Sequence, residues 1–449
     1  MNLILITIDC LRADHISCIG YNRNTTPFID SLAKNGLLFK EVIVNGAGTF
    51  ASFTSLFTST YPFMRGGFER LNRKTIAEVL KKKGYTTAGI NDNGYLSPYF
   101  GFNRGFDYFN CLSVQNRRSH RAIDILKKII SDLAMGFGSD WSMNGRIVTK
   151  LALDWITENK SDDFFLWIHY MDVHGPHYAP RTYYSKIGIK PPIIFDLYRL
   201  NRKLKENPSE LYKAGIINKK DIELLKNTYD AEIRYVDECI YRLYKELKFL
   251  NLLDKTIILI TSDHGEEFFE HGDYHSNTNL YDEMIRVPLV VFGPNIPIRI
   301  VSSQVRQIDI APTILDLLGE GEEEEFIGKS LVNGNPKREY IITEAAYYEI
   351  SGGRSDKLLK IDFKLRKTSI RAEINGQKWK YIYCTKSKRE ELYNLTKDPS
   401  ENLNLINDES DEVCRILETM RCILKNHLRH EEEERQLKIN IRRFVKKWK

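Results

Sequence analysis

The chain has 449 residues, 42% hydrophobic and 28% charged, which suits one large core with a smaller second unit and excludes a disordered, collagenous or coiled-coil chain. Its 66 basic and 60 acidic residues leave a formal charge of +6, too dilute to predict a nucleic-acid partner but compatible with an anionic small substrate. The seven cysteines, an odd number without CxxC spacing, fit neither a disulfide framework nor a zinc knuckle and read as reduced thiols.

Met1 opens directly on Leu3 to Ile8, a β-branched run ending in Asp9. With no basic leader, no small-residue cleavage site and no apolar stretch of about 18 residues, a cytoplasmic protein is expected. Asn45-Gly-Ala-Gly-Thr49 then places glycines before a helix-compatible apolar run. Helical periodicity follows at Thr75 to Lys83, closed by Gly84, and at Lys220 to Leu250. Cys111 to about Ser161, basic at Asn116-Arg-Arg-Ser-His-Arg121, and the Pro-punctuated stretch Pro180 to Asn218 read as irregular insertions near the mouth of a site. Thr256 to Ile260 is a second β-branched run, ending in Thr-Ser-Asp263.

Ile308 to Leu318 reads as an apolar helix, and the acidic loop Glu320 to Glu325 marks the passage to a smaller unit. In that unit Trp379 to Cys384 reads as a strand, and Asp398-Pro-Ser-Glu-Asn402 as a turn. Arg435 to Lys449 is basic without an acid and interleaved with apolar residues. This tail either docks as a solvated helix on its own domain or makes a peripheral contact with anionic lipid. Alternating strands and helices predict an α/β fold: a large mixed, mostly parallel sheet sandwiched by helices, with a smaller C-terminal α+β unit. The expected divisions are a catalytic domain over 1–325, a C-terminal subdomain over 326–430 and a basic tail over 431–449.

Ligands bind beyond the carboxyl ends of strands in such sheets, where Asp9 and Asp263 would both lie. With His264 they offer a dication two carboxylates and an imidazole from separate elements; an Asp after a strand also serves as a plain turn or cap. Thr49 has two readings as well, an N-cap or a hydroxyl facing an anion site. His169, Asp172, His174 and His177 crowd Trp167 to Pro180, and His271 and His275 follow the second strand. Imidazoles so placed can bind nonbridging oxygens, protonate a leaving group or ligate a metal.

The order of these motifs resembles the sulfatase branch of the alkaline phosphatase superfamily over nearly the whole chain. The resemblance is carried by Ile6-Thr-Ile-Asp-Cys-Leu-Arg-Ala-Asp14, Ser55-Leu-Phe-Thr-Ser-Thr-Tyr-Pro62, Asp172-Val-His-Gly-Pro176, Ser262-Asp-His-Gly-Glu266, Leu280-Tyr-Asp-Glu283 with Arg286-Val-Pro-Leu289, and Asp309-Ile-Ala-Pro-Thr313. It implies that Asp9, Asp263 and His264 are metal ligands, with Thr49 at the nucleophile position and sharing the metal. It implies too that His174 contacts the transferred group, with His169 and His275 as further catalytic histidines and His271 and Asn93 as substrate-binding residues.

Sulfatases of the usual kind carry Cys or Ser in Cys-x-Pro-x-Arg and oxidise it to formylglycine. The equivalent stretch is Thr49-Phe-Ala-Ser-Phe53, so no formylglycine is expected. A formylglycine hydrate expels sulfate by collapsing to the aldehyde, whereas a threonine ester needs attack by water or another acceptor, which favours phosphoryl chemistry. Cys10 stands where a second aspartate is usual, and His264 where calcium sulfatases often have asparagine. That donor set favours one Zn²⁺ or Mn²⁺ over Ca²⁺ or Mg²⁺. The resulting expectation is a hydrolase or transferase acting on a phosphate mono- or diester, small or glycan- or lipid-linked, through a Thr49 covalent intermediate. A sulfuric ester hydrolase and an inactive anion-binding protein are the alternatives.

Overall fold

A computed structural model describes residues 1–64, 70–115, 143–276, 278–332, 338–351 and 358–447. The basic stretch 116–121, expected to begin an insertion, lies outside the described residues, as do the side chains of 437–449 in the tail. Strand β1 (Asn2–Ile8) forms because an apolar β-branched run can be buried on both faces. Leu3 and Leu5 enter one hydrophobic cluster, and Ile4, Ile6 and Ile8 the cluster on the opposite face of the sheet, as a two-residue period requires.

The main sheet has the order β4-β3-β5-β1-β6-β7-β2-β8, with β9 also pairing β2. Its strands are β2 (Leu37–Ile43), β3 (Thr86–Asn91), β4 (Tyr108–Cys111), β5 (Phe164–Tyr170), β6 (Thr256–Ser262), β7 (Arg286–Phe292), β8 (Arg299–Val301) and β9 (Val305–Arg306). β4, β3, β5, β1 and β6 run parallel. β7 is antiparallel to both β6 and β2, so β2 points the same way as β6. The carboxyl ends of β1, β3, β5, β6 and β2 therefore share one edge, and the functional residues follow those ends.

Among the helices are α1 (Pro27–Lys34), α2 (Thr49–Thr58), α3 (Ile76–Lys82), α4 (Gly145–Glu158), α5 (Ile194–Lys205), α6 (Lys219–Phe249), α7 (Ile310–Leu317) and α8 (Asp411–Lys447). Capping boxes start α3 at Thr75 with Glu78, and α6 at Asn218 with Asp221. The stretch Pro180 to Asn218 departs from the irregular segment expected of it. It holds the helices Arg181–Lys186, α5 and Pro208–Lys213, too short for a long periodic pattern.

The C-terminal unit is an antiparallel sheet of β10 (Tyr340–Ser351), β11 (Leu358–Ile374), β12 (Gln377–Cys384) and β13 (Glu390–Asn394). Helix α8 covers it, packing Val413, Ile416, Met420 and Leu424 on Ile342, Ile370, Trp379 and Leu392. Several polar contacts join the units, two of them close to the site. Lys380, fully buried, contacts Asp282 at 2.6 Å and Glu401 at 2.8 Å. The backbone of Glu344 on β10 exchanges hydrogen bonds with Asn45 and Ala47, at 3.0 and 2.9 Å, so the smaller unit braces the loop leading to Thr49. All seven cysteines are free thiols.

Candidate active site

Asp9 and Asp263 leave the ends of neighbouring strands, since Ile8 pairs with Ser262, and both are fully buried. Cys10 turns the chain into the left-handed region at φ 60°, a conformation that costs a non-glycine residue on the order of 1 kcal/mol. It is held there by its N–H donating to Asp263 Oδ1 at 3.3 Å and its carbonyl accepting from the Tyr229 hydroxyl at 2.6 Å. Burial and the charges of Asp9, Glu266 and Asp263 push the Cys10 thiol up, so it stays protonated and donates to Asp9 Oδ1 at 3.1 Å.

Helix α2 begins at Thr49, with Gly48 as the cap at φ 80°, a value that favours glycine. With Gly48 at the cap, Thr49 is the first helical residue, which removes the N-cap reading. Its hydroxyl instead lies 3.3 Å from His264 Nε2. In the next turn, Ser52 donates to the Asp263 carbonyl at 2.6 Å, and Gln307 Nε2 donates to the same oxygen at 3.2 Å. The helix start and the metal-candidate loop are thus clamped together.

His264 Nδ1 donates to the Gly265 carbonyl at 2.8 Å, and Nε2 faces Asp263 Oδ2 at 3.6 Å and Asp9 Oδ1 at 3.9 Å; burial opposes charge on the ring, but Asp263 and Asp9 raise its pKa. Asp263 Oδ2 is buried without a hydrogen-bond partner. Burial and Asp9 raise the Asp263 pKa. Burial opposes charge on Asp9 too, but the His169 hydrogen bond, with the charges of His169 and His264, holds it well below the carboxylate range. Ligand atoms of Asp9, Cys10 and His264 lie within 4.8 Å of one another, as do those of Asp9, His169 and Asp263. Two buried carboxylates, one with an orphaned oxygen, facing an oriented imidazole fit a divalent cation.

A second wall is made by His174 and His275, whose rings lie 4.5 Å apart. His174 Nδ1 donates to the Gly175 carbonyl at 2.6 Å. Burial and the neighbouring His275 lower its pKa, so it is neutral. His275 Nδ1 contacts Glu266 Oε2 at 2.8 Å. Burial works against its charge, but Glu266, with Asp9 and Asp263, raises its pKa to about 9. Cys10 Sγ offers a ligand atom within 4.8 Å of both histidines as well as to the aspartate group, so the two walls are contiguous.

Of the other expected site residues, two back Asp9 and one turns away from it. His169 lies behind Asp9, its Nε2 at 3.1 Å from Asp9 Oδ2 and its Nδ1 at 2.9 Å from the Thr7 hydroxyl, and it fixes that carboxylate from behind. Asn93 does the same from the end of β3, donating to Asp9 Oδ2 at 3.0 Å. His271 turns toward the C-terminal unit, with Nδ1 at 2.6 Å from Glu283, Nε2 at 3.3 Å from the Glu401 carbonyl and the ring stacked 3.6 Å from Tyr281. His177 binds Glu232 at 2.7 Å. Asp172 accepts from Gly145 N at 2.9 Å at the start of α4. Sequence reasoning missed Glu266 as the partner of His275; its place three residues after Asp263, directly beyond a strand end, was the available signal.

A family model described as Sulfatase matches residues 1–320, and one described as N-sulphoglucosamine sulphohydrolase, C-terminal, matches residues 269–430. An arylsulfatase of Clostridium perfringens is 25% identical, with 96% of this chain and 95% of that protein covered. The solved phosphonate monoester hydrolase of Agrobacterium radiobacter superposes with a TM-score of 0.71 at 20% identity, covering 96% of each chain. A structure solved in complex with D-glucosamine-2-N,6-O-disulfate gives 0.68 at 19% identity, covering 96% of this chain and 98% of that one. The mostly parallel sheet with its C-terminal antiparallel unit is the architecture of these neighbours.

Proposed function

The chain belongs to the sulfatase family, and from that premise we propose that it is a metal-dependent ester hydrolase in which Thr49 is the nucleophile and a phosphoryl group is transferred. The observation that carries the reading is the Thr49 hydroxyl, 3.3 Å from His264 Nε2 at the first residue of a buried helix. A helix start favours an oxyanion and offers free backbone N–H groups to phosphate oxygens. A divalent cation on Asp9, Asp263 and His264 would supply Lewis-acid neutralisation of developing charge, and the nitrogen and sulfur donors nearby favour Zn²⁺ or Mn²⁺ over Ca²⁺.

In the proposed reaction Thr49 Oγ gives up its proton to solvent water and forms a bond to phosphorus as the ester P–O bond breaks. The leaving oxygen takes a proton from His275, which is charged at neutral pH because of Glu266. Neutral His174 faces the same group. Water then attacks phosphorus and gives a proton back to His275, while the Thr49 Oγ–P bond breaks and Oγ takes a proton from solvent as phosphate leaves. No formylglycine enters this scheme, since threonine stands at its position.

The test compares nitrophenyl phosphate, bis-nitrophenyl phosphate and nitrophenyl sulfate on wild type and Thr49→Ala. Expected are turnover of a phosphate ester above sulfate, a loss of roughly 10⁴-fold or more in the variant, and metal content near wild type. Retained turnover in the variant would show that water is activated directly. A second reading, a sulfuric ester hydrolase, is favoured by the family and by the arylsulfatase relative; a clear sulfate preference in the same assay establishes it instead.

A further inference from the structure

Helix α5 has two faces of opposite character. Leu197, Leu200, Asn201 and Leu204 are buried, and Asn201 grips the active-site loop twice, accepting from His177 N at 2.9 Å and donating to His177 O at 2.8 Å. On the outer side Phe195 and Tyr198 are 67% and 55% exposed, and Ile193, just before the helix, is 69% exposed. Single exposed apolar residues are ordinary on a protein surface. Three within six residues form a patch. From Lys190 to Glu206 the chain carries five cations, Lys190, Arg199, Arg202, Lys203 and Lys205, against Asp196 and Glu206, a net of +3, with Lys203 itself turned to Asp221 at 2.9 Å. Arg199, Arg202 and Lys205 are exposed, and the pairs Arg199–Asp196 at 3.5 Å and Arg202–Glu206 at 3.6 Å are of the weak exposed kind.

We propose that this face of α5 docks on an anionic lipid surface. Ile193, Phe195 and Tyr198 enter the boundary between headgroups and acyl chains while the cations meet lipid phosphates. A second copy of the chain is the poorer occupant, because a two-fold contact would bring the same cations together. Among the described residues no helix is long and apolar enough to cross a membrane, so docking is peripheral.

The functional consequence lies in the far end of the helix. Leu204 and Lys205 line a cavity of about 240 Å³ together with His174, Tyr274 and His275. At about 1.5 Å per residue, Phe195 and Leu204 are separated by roughly 14 Å along the axis. Because Asn201 fixes α5 to the His174–His177 loop, docking through Phe195 would hold that cavity, and with it the site, close to the headgroup layer. This inference goes beyond the reaction proposed above and does not depend on which ester is cleaved.

The full chain is sedimented with vesicles of phosphatidylcholine alone or mixed with phosphatidylglycerol, at low and high salt. Expected is binding to the anionic vesicles only, weakened by salt. Ile193→Ser with Phe195→Ser should lower partitioning about tenfold or more, and Arg199→Gln with Arg202→Gln about fivefold per charge. Turnover of a soluble nitrophenyl ester and the thermal melt should stay at wild-type values in both variants, which separates docking from folding and from chemistry. Equal binding to both vesicle types, or undiminished binding by both variants, overturns the proposal. So does loss of binding on deleting residues 431–449 alone, which would make the basic tail the anchor, or a wild-type dimer dispersed by the Phe195 variant, which would make the patch a self-contact.

Discussion

Replacing Glu266 by Gln should move the alkaline limb of the reaction toward neutrality. His275 is raised from the ordinary histidine value of about 6.5 to about 9, with Glu266 the largest favourable contribution against burial. That rise corresponds to roughly 3 kcal/mol favouring the charged ring, reduced to about 2 because 27% of the side chain is exposed and screened. In the proposed reaction the charged ring is the acting form, so activity is expected below the folded pKa and should fade as pH rises through it. In Glu266→Gln the limb of kcat/KM should therefore fall from about pH 9 to about pH 7.5, leaving the variant roughly sevenfold slower at pH 8.5 and little changed at pH 6. The assay is a pH profile beside an NMR titration of the His275 imidazole. Thermal melts give a second reading: the contact's contribution is complete below about pH 6.5 and lost as pH climbs through about 9 in wild type, and absent from the variant. An unmoved limb, or a uniform loss at every pH, would refute His275 as the acid charged by Glu266.

Lys380→Met leaves Asp282 and Glu401 facing each other without the buried cation between them; urea unfolding should show a loss of about 3–5 kcal/mol, and a loss under about 1 kcal/mol would mean that the joint between the units is not braced there. At Gly265 an added Cβ would stand 1.8 Å from the Glu283 carbonyl oxygen, so Gly265→Ala must displace the loop carrying His264; a lowered melting temperature together with lost metal affinity is expected, and unchanged metal affinity would count against the loop as a ligand. Asp263→Asn should weaken divalent-cation binding in equilibrium dialysis by about 100-fold or more. The cation-free form of that variant should melt no lower than wild type, since Asp9 loses a like-charged neighbour; undiminished cation binding would place the metal elsewhere.

What the sequence made legible follows from how each feature is encoded. β1 and β6 were readable because a strand buried on both faces is a continuous β-branched run, and the carboxylates that follow them fall at matching positions, each one residue beyond the Ile8–Ser262 pair. The long helix α6 announced itself by periodicity and by the cap at Asn218. Thr49 was ambiguous because glycines followed by a hydroxyl suit both a cap and a nucleophile; only the placement of Gly48 at the cap, together with the approach of His264 across 215 residues, separates them. His169, Asn93 and His271 share the same difficulty. A histidine or asparagine near a strand end is placed near a site by its position in the chain, but what it faces depends on partners elsewhere: Asp9, 84 and 160 residues from Asn93 and His169, and Glu283 and Glu401, 12 and 130 residues from His271.

The division of labour at Asp9 shows why those backing residues matter to the chemistry. Its Oδ2 accepts from Asn93 at 3.0 Å and faces His169 Nε2 at 3.1 Å, while Oδ1 looks toward Cys10 and His264. A carboxylate with both oxygens free could rotate; this one presents a single oxygen to the pocket because the other is fixed from behind. Asp263 is built the opposite way: Oδ1 is tied by the backbone N–H groups of Cys10 and His264 at 3.3 and 2.9 Å, and Oδ2 is left bare. Each aspartate thus offers one oriented oxygen to the space beside Thr49. Two oriented anionic oxygens in a buried site repel unless a cation lies between them, and that repulsion is the physical ground for expecting a metal there.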